Sequence, residues 1–182
     1  IILSPNGILY FTDPPYGLTN SDDDALKELS FNGVYKIEND HAELIIDTLQ
    51  RPNGIGVSPD GRFLYVADTE YSRVVTYELN DKGDIINSID FFDLKEITSR
   101  ASDKSMPFFD GMTVSKKGVI LLSGYNGIWF VSPKGVFLGH IQTPEFTSNC
   151  VLDSNEDYVY WTTGKYPYVE GSSSLYRYKL KK

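Results

Sequence analysis

One cysteine, two methionines, two tryptophans and two histidines are all that the 182 residues hold of those types. A single thiol, Cys150, excludes an internal disulfide framework and any thiolate zinc cluster. Placed beside Asn149, it reads as a small buried hydrophobe, and it leaves the compartment open, cytoplasmic or secreted. Long apolar runs are missing too. The longest is the five residues from Phe63 to Ala67, where a membrane-spanning helix needs about 20, so no membrane helix is expected. Basic charge is scarce, with 17 Lys and Arg against 25 Asp and Glu for a net charge of −8. A surface for nucleic acid needs clustered cations against phosphate, so that class of partner is excluded. The one run of like charge, Asp22-Asp23-Asp24, reads as a solvated loop. Helical periodicity is nearly absent, and only Asp24 to Leu29 could form a short helical turn. His41 and His140 have no Ser or Asp set against them, which leaves a Ser-His-Asp triad without support. The chain opens on Ile1-Ile2-Leu3, and its methionines are Met106 and Met112. With no initiator or signal peptide visible, the expectation is a processed chain or a fragment.

What the chain has in quantity is aromatic and β-branched residues in short runs, with 13 Tyr and 10 Phe, bounded by Gly, Pro, Asn and Asp. That composition predicts an all-β protein. The runs repeat. Ser4-Pro-Asn-Gly precedes Ile8-Leu-Tyr-Phe-Thr-Asp13, and Ser58-Pro-Asp-Gly precedes Arg62-Phe-Leu-Tyr-Val-Ala-Asp68. Ser115-Lys-Lys-Gly and Ser154-Asn-Glu-Asp lead into Val119-Ile-Leu-Leu-Ser-Gly124 and Tyr158-Val-Tyr-Trp-Thr-Thr163. A second element recurs at Gly33–Ile37, Val74–Leu79, Gly127–Val131 and Ser174–Tyr178, as a third strand of the same unit. All-strand units of this length predict β-propeller blades. The expected organisation is one partial propeller domain over 1–182, in blade units 1–50, 51–109, 110–148 and 149–182.

The repeat also serves as a ruler. Five residues before three of the turn serines stand Asn53, Asp110 and Asn149. Equivalent positions entering the innermost strand of successive blades face one end of the propeller axis, so three oxygen-bearing side chains should converge there. Before Ser4, the same ruler runs off the chain. Asn and Asp oxygens, with no His or Cys, suit a hard cation. The competing reading is that Asn53-Gly54 and Asp110-Gly111 are ordinary turn dipeptides, and Asn149 a strand-entry hydrogen bonder.

Several longer stretches resemble the gluconolactonase/regucalcin (senescence marker protein) family: Phe11-Thr-Asp-Pro-Pro-Tyr-Gly-Leu18, Lys27-Glu-Leu-Ser-Phe-Asn-Gly-Val-Tyr35, Arg51-Pro-Asn-Gly-Ile-Gly-Val-Ser-Pro-Asp-Gly61, Leu64-Tyr-Val-Ala-Asp-Thr69, Asp110-Gly-Met112 and Ser148-Asn-Cys150. The resemblance implies a six-bladed propeller, of which about four blades are present with the N-terminal ones missing. It implies lactone hydrolysis dependent on a divalent cation, Ca²⁺ first, with Zn²⁺, Mg²⁺ or Mn²⁺ as alternatives. The family holds its axial metal with a first-blade Glu, an Asn and an Asp; Asn53 and Asp110 match the last two, and the Glu belongs upstream of Ile1.

On that footing Asp110 is the expected catalytic residue, ligating metal and accepting a proton from water. Asn53 is the neutral ligand, and Asn149 and Tyr16 are expected at the substrate, a small lactone. Thr12 and Asp13 lie where some relatives hold a second, structural Ca²⁺. The acidic stretch from Tyr16 to Phe31 has the length of a lid or binding loop. Two other readings stay open: a non-catalytic binding propeller, and a strictosidine-synthase-like or arylesterase-like enzyme. At about 45 residues a unit, six blades need roughly 270. Four alone would leave strand edges exposed, so the 182 residues by themselves are expected to aggregate or to need a partner. The oligomeric state cannot be read from the sequence.

Overall fold

The structure is a computed structural model that describes residues 1–93, 108–124, 126–143, 145–165 and 171–181. Met106 lies outside these residues. Four antiparallel sheets follow one another along the chain, as blades of a β-propeller. The first blade holds β1 (Ile2–Leu3), β2 (Leu9–Asp13), β3 (Gly33–Glu38) and β4 (His41–Ile46). The second holds β5 (Pro52–Val57), β6 (Phe63–Asp68), β7 (Arg73–Leu79) and β8 (Ile85–Asp93). The third holds β9 (Phe109–Val114), β10 (Ile120–Gly124), β11 (Gly127–Val131) and β12 (Phe137–Gln142). The fourth, among the described residues, holds β13 (Phe146–Leu152), β14 (Tyr158–Gly164) and β15 (Ser174–Lys179). Each sheet is ordered as the chain runs, a simple meander.

The continuous apolar runs have a direct cause. Successive side chains of a strand point to opposite faces, and in the two middle blades the second strand is sandwiched between neighbouring blades. Along β6, Leu64 and Val66 enter the core shared with the first blade, beside Tyr10, Val34 and Ile55. Tyr65 and Ala67 enter the core shared with the third, beside Phe109, Met112 and Trp129. Along β10, Ile120 and Leu122 face back into that same core, while Leu121 joins Cys150, Val159 and Trp161 of the fourth blade. Both faces are apolar because both are buried. The outer strands, with one neighbour fewer, are mostly exposed, β15 along its whole length.

The recurring turns close through the first residue's own side chain. Ser4 Oγ accepts the Ile8 amide at 3.1 Å, Ser58 Oγ the Phe63 amide at 2.9 Å and Ser115 Oγ the Val119 amide at 2.9 Å. In the fourth blade the residue in that role is Asp153, whose Oδ1 accepts the Tyr158 amide at 2.8 Å. Backbone bonds agree, since the amides of Ser58, Ser115 and Asp153 donate to Phe63, Val119 and Tyr158. Ser154 is therefore one residue past the position that the repeat assigns to it.

Between β2 and β3 the chain makes two 3₁₀ turns, Pro15–Gly17 and Ser21–Asp23. The helical turn anticipated at Asp24–Leu29 does not form. One hydrogen bond, Lys27 amide to the Asp24 carbonyl at 3.0 Å, closes a turn there, and Asp24 Oδ1 takes the Leu26 amide. Such side-chain bonding to nearby backbone competes with helix. Among the described residues no helix is long and apolar enough to cross a membrane.

Candidate functional site

Asn53 and Asp110 are brought together. Asn53 lies on β5 and Asp110 on β9, the innermost strands of adjacent blades, and Asn53 Nδ2 donates to Asp110 Oδ1 at 2.9 Å. Neither Asn53-Gly54 nor Asp110-Gly111 is a turn: both dipeptides are inside strands, and neither glycine has a positive φ. The glycines serve close approach instead. A Cβ on Gly54 would lie 2.5 Å from the Asp110 carbonyl oxygen, and one on Gly111 would overlap the Asn149 carboxamide.

Each of these strands carries a bulge at the same place. Between the pairs Pro52–Asp68 and Ile55–Val66, Asn53 and Gly54 oppose Ala67 alone. Between Phe109–Gly124 and Met112–Leu122, Asp110 and Gly111 oppose Ser123 alone. In β13 the shift falls between Thr147–Thr163 and Asn149–Thr162, so Ser148 and Asn149 oppose Thr162. An inserted residue breaks the in–out alternation and re-aims a side chain, a device common beside active sites.

These registers correct the ruler in the fourth blade. Counted from Asp153, the turn residue in fact, the counterpart of Asn53 and Asp110 is Ser148, and Asn149 stands in the glycine position. Ser148 Oγ shares a hydrogen bond of 2.8 Å with Thr162 Oγ1. Asn149 is exposed, its Oδ1 accepting the Cys150 amide at 2.8 Å. It borders the Asp110-Gly111 step without occupying the equivalent place. The signal that could have found Ser148 is chemical: Asp and Ser both close such turns, and the fourth turn contains both.

Threonines of neighbouring blades brace the inner strands. Thr12 Oγ1 donates to the Asn53 carbonyl at 2.7 Å, and Thr69 Oγ1 to the Phe109 carbonyl at 2.7 Å. Thr12 and Asp13 are the last residues of β2, the second strand of their blade, with Asp13 exposed. Tyr16, 47 % exposed, lies near the side chains of Thr69 and Asn53 and within electrostatic reach of Arg51 and Asp110. Partial burial raises the Tyr16 pKa. His41 and His140 lie on outermost strands, far from this ring, and His140 stacks on Trp129 at 4.1 Å.

The electrostatics single out Asp110. Burial raises its pKa to about 6, and the Asn53 hydrogen bond only partly opposes this. A partly buried carboxylate beside a neutral amide lacks, among the described residues, the compensating charge that buried anions ordinarily have. Asn and Asp oxygens are hard-cation ligands, so the donor set and the uncompensated charge both fit a divalent ion between Asn53 and Asp110. Among the described residues no three His, Cys, Asp or Glu side chains cluster as a metal site, so Asp110 is the acidic member of this pair and Asn53 the neutral one. Cys150 takes no part: it is buried, with its thiol pushed up to about 12 by desolvation.

Residues 1–165 match the profile of the SMP-30/Gluconolactonase/LRE-like region. A gluconolactonase of Zymomonas mobilis subsp. mobilis is 36 % identical over 145 residues, which are 78 % of this chain and 40 % of that protein. The solved structure of a gluconolactonase from Xanthomonas campestris superposes with a TM-score of 0.75 at 29 % identity, over 90 % of this chain and 52 % of that one. A calcium-binding protein, regucalcin, from Agrobacterium tumefaciens shares the fold, with a TM-score of 0.71 at 15 % identity over 95 % and 58 % of the two chains. The chain thus spans roughly half the length of these relatives. With the profile covering three blades and the first two strands of the fourth, the chain belongs to the SMP-30/gluconolactonase/LRE-like family.

Proposed function

We propose that the protein carrying this chain hydrolyses a sugar-type lactone with the help of a divalent cation, Ca²⁺ before Zn²⁺, Mg²⁺ or Mn²⁺. The observation that carries this reading is the Asp110 carboxylate, partly buried on an inner strand and answered, among the described residues, only by a neutral amide. The relatives named gluconolactonase support the substrate class, and the one named a calcium-binding protein supports the cation. Asn53 and Asp110 would hold the ion. When bound, it supplies polarisation of the lactone carbonyl, stabilisation of the developing oxyanion and a lower pKa for water.

The chain's own residues do the rest. Asp110 takes the proton of the attacking water at a carboxylate oxygen. As the water oxygen bonds to the carbonyl carbon, the ring C–O bond breaks. The departing ring oxygen recovers the proton from Asp110, leaving a hydroxy acid. Asn53 orients the Asp110 carboxylate through its amide. Tyr16 and Asn149, both partly open to solvent beside this pair, offer a hydroxyl and a carboxamide to the substrate's oxygens. The test is hydrolysis of glucono-1,5-lactone by the protein, followed as acid release, with and without a chelator. Turnover lost in chelator and restored by Ca²⁺ is expected. Full turnover in chelator would remove the cation from the account, and no turnover with any of the four ions would favour a binding role.

A further inference from the structure

The segment from Pro14 to Asn32 leaves the first blade after β2 and returns at β3, and the structure shows what fastens it. Arg51, two residues before Asn53, reaches Asp22 of the segment with Nε at 3.1 Å. Its Nη1 reaches Glu70 of the second blade at 3.2 Å. The other oxygen of Asp22 accepts Asn32 Nδ2 at 2.8 Å, and the same Nδ2 lies 2.6 Å from the Gln50 carbonyl. Asn32 is itself buried. Both carboxylate oxygens of Asp22 are thus engaged, one by each end of the segment's attachment. At the near end, Pro14 and Pro15 fix two backbone φ angles, and the next residue, Tyr16, arrives near the side chains of Thr69 and Asn53. Its ring stays about half exposed, an apolar body with a polar tip beside the Asn53–Asp110 pair.

We propose that Arg51 is a positioning residue for substrate recognition: by clamping Asp22 and Glu70 together it holds the Pro14–Asn32 strap closed, and so keeps Tyr16 against the Asn53–Asp110 pair. This rests on the lactonase reading. The ligand it implies is a hydroxylated ring whose C–H face lies on the Tyr16 ring and whose oxygens meet the Tyr16 hydroxyl. Arginine is needed rather than any cation, because two different nitrogens serve two carboxylates on separate segments. A lysine ammonium is a point charge and lacks that fork.

The test compares wild type, Arg51→Lys, Asp22→Ala, Tyr16→Phe and the double variant Arg51→Lys/Tyr16→Phe in the protein carrying this chain. Glucono-1,5-lactone is the probe, and amide hydrogen exchange is measured over residues 14–32. Arg51→Lys and Asp22→Ala should each raise KM about five- to tenfold with kcat within about twofold, and should speed exchange in the strap alone. Tyr16→Phe should raise KM, and should add little to Arg51→Lys, since both act on one contact. An unchanged KM in Arg51→Lys, or KM effects that multiply fully in the double variant, would overturn the proposal. Should wild type hydrolyse no lactone, the lactonase reading fails, and exchange decides the clamp separately: unchanged protection of the strap in both Arg51→Lys and Asp22→Ala would overturn it.

Discussion

At the scale of residues, Asp110 is the group on which the site depends. Its carboxyl has a pKa raised from 3.8 to about 6 by burial. The folded state therefore binds the proton more tightly than the unfolded chain. Stability from this group is present below about pH 4 and falls away as pH rises through 6. In chelator at pH 8, Asp110→Asn should stabilise the protein, by at most about 3 kcal/mol for a shift of this size, and the gain should vanish near pH 4. Thermal melts at the two pH values check this, and a variant less stable than wild type at pH 8 would contradict it. Added Ca²⁺ should stabilise wild type by about 2.7 kcal/mol at a hundredfold excess over its dissociation constant, seen as a higher melting temperature, and leave the variant unmoved. Gly54 is the steric counterpart. A methyl group there meets the Asp110 carbonyl, so Gly54→Ala should cost about 1–3 kcal/mol, as overpacking does, measured by denaturant unfolding. The pairing of Asn53 with Asp110 was legible in the sequence because equal offsets in a repeat become equal places in space. The purpose of their glycines was not, since close approach of two strands leaves no local signature distinct from a turn.

At the scale of elements, turn and strand motifs were readable because turn chemistry and apolar continuity are local properties. Two features were not. Asp153, not Ser154, closes the fourth turn, and that one-residue difference transfers the ring position from Asn149 to Ser148. Asp153→Ala should destabilise the protein by about 1 kcal/mol, the worth of one hydrogen bond, while Ser154→Ala should be near neutral. Chemical denaturation of both variants decides, and the reverse order would restore the register counted from Ser154. The bulges of β5, β9 and β13 also left no mark in the turn and apolar-run pattern, because an unpaired residue is visible only against its partner strand. The strap likewise carried no local sign of its fastening: Asp22 and Arg51 are distant in sequence, and the acidic run around Asp22 reads as solvated loop until the partner is placed.

At the scale of the whole molecule, three interblade cores hold the four sheets in sequence, and exposed apolar side chains are found on every blade, the two terminal ones included. Leu175, Tyr176 and Tyr178 on β15 are 71 %, 41 % and 46 % exposed, and Ile1 and Leu3 are 79 % and 60 % exposed. Unpaired strands and apolar flanks invite association. The 182 residues alone should therefore self-associate at micromolar concentration in sedimentation experiments, and Leu175→Lys should reduce it. A monodisperse monomer would show that these surfaces are tolerated. None of this bears on the chemistry, which depends on where two inner strands meet. The measurement that tests the account most directly is lactone turnover by the protein carrying this chain with Asp110→Ala, beside wild type, at saturating Ca²⁺. A fall in kcat of about 10²–10⁴, in a variant that still melts cooperatively, is the predicted result; turnover undiminished by the substitution would contradict it.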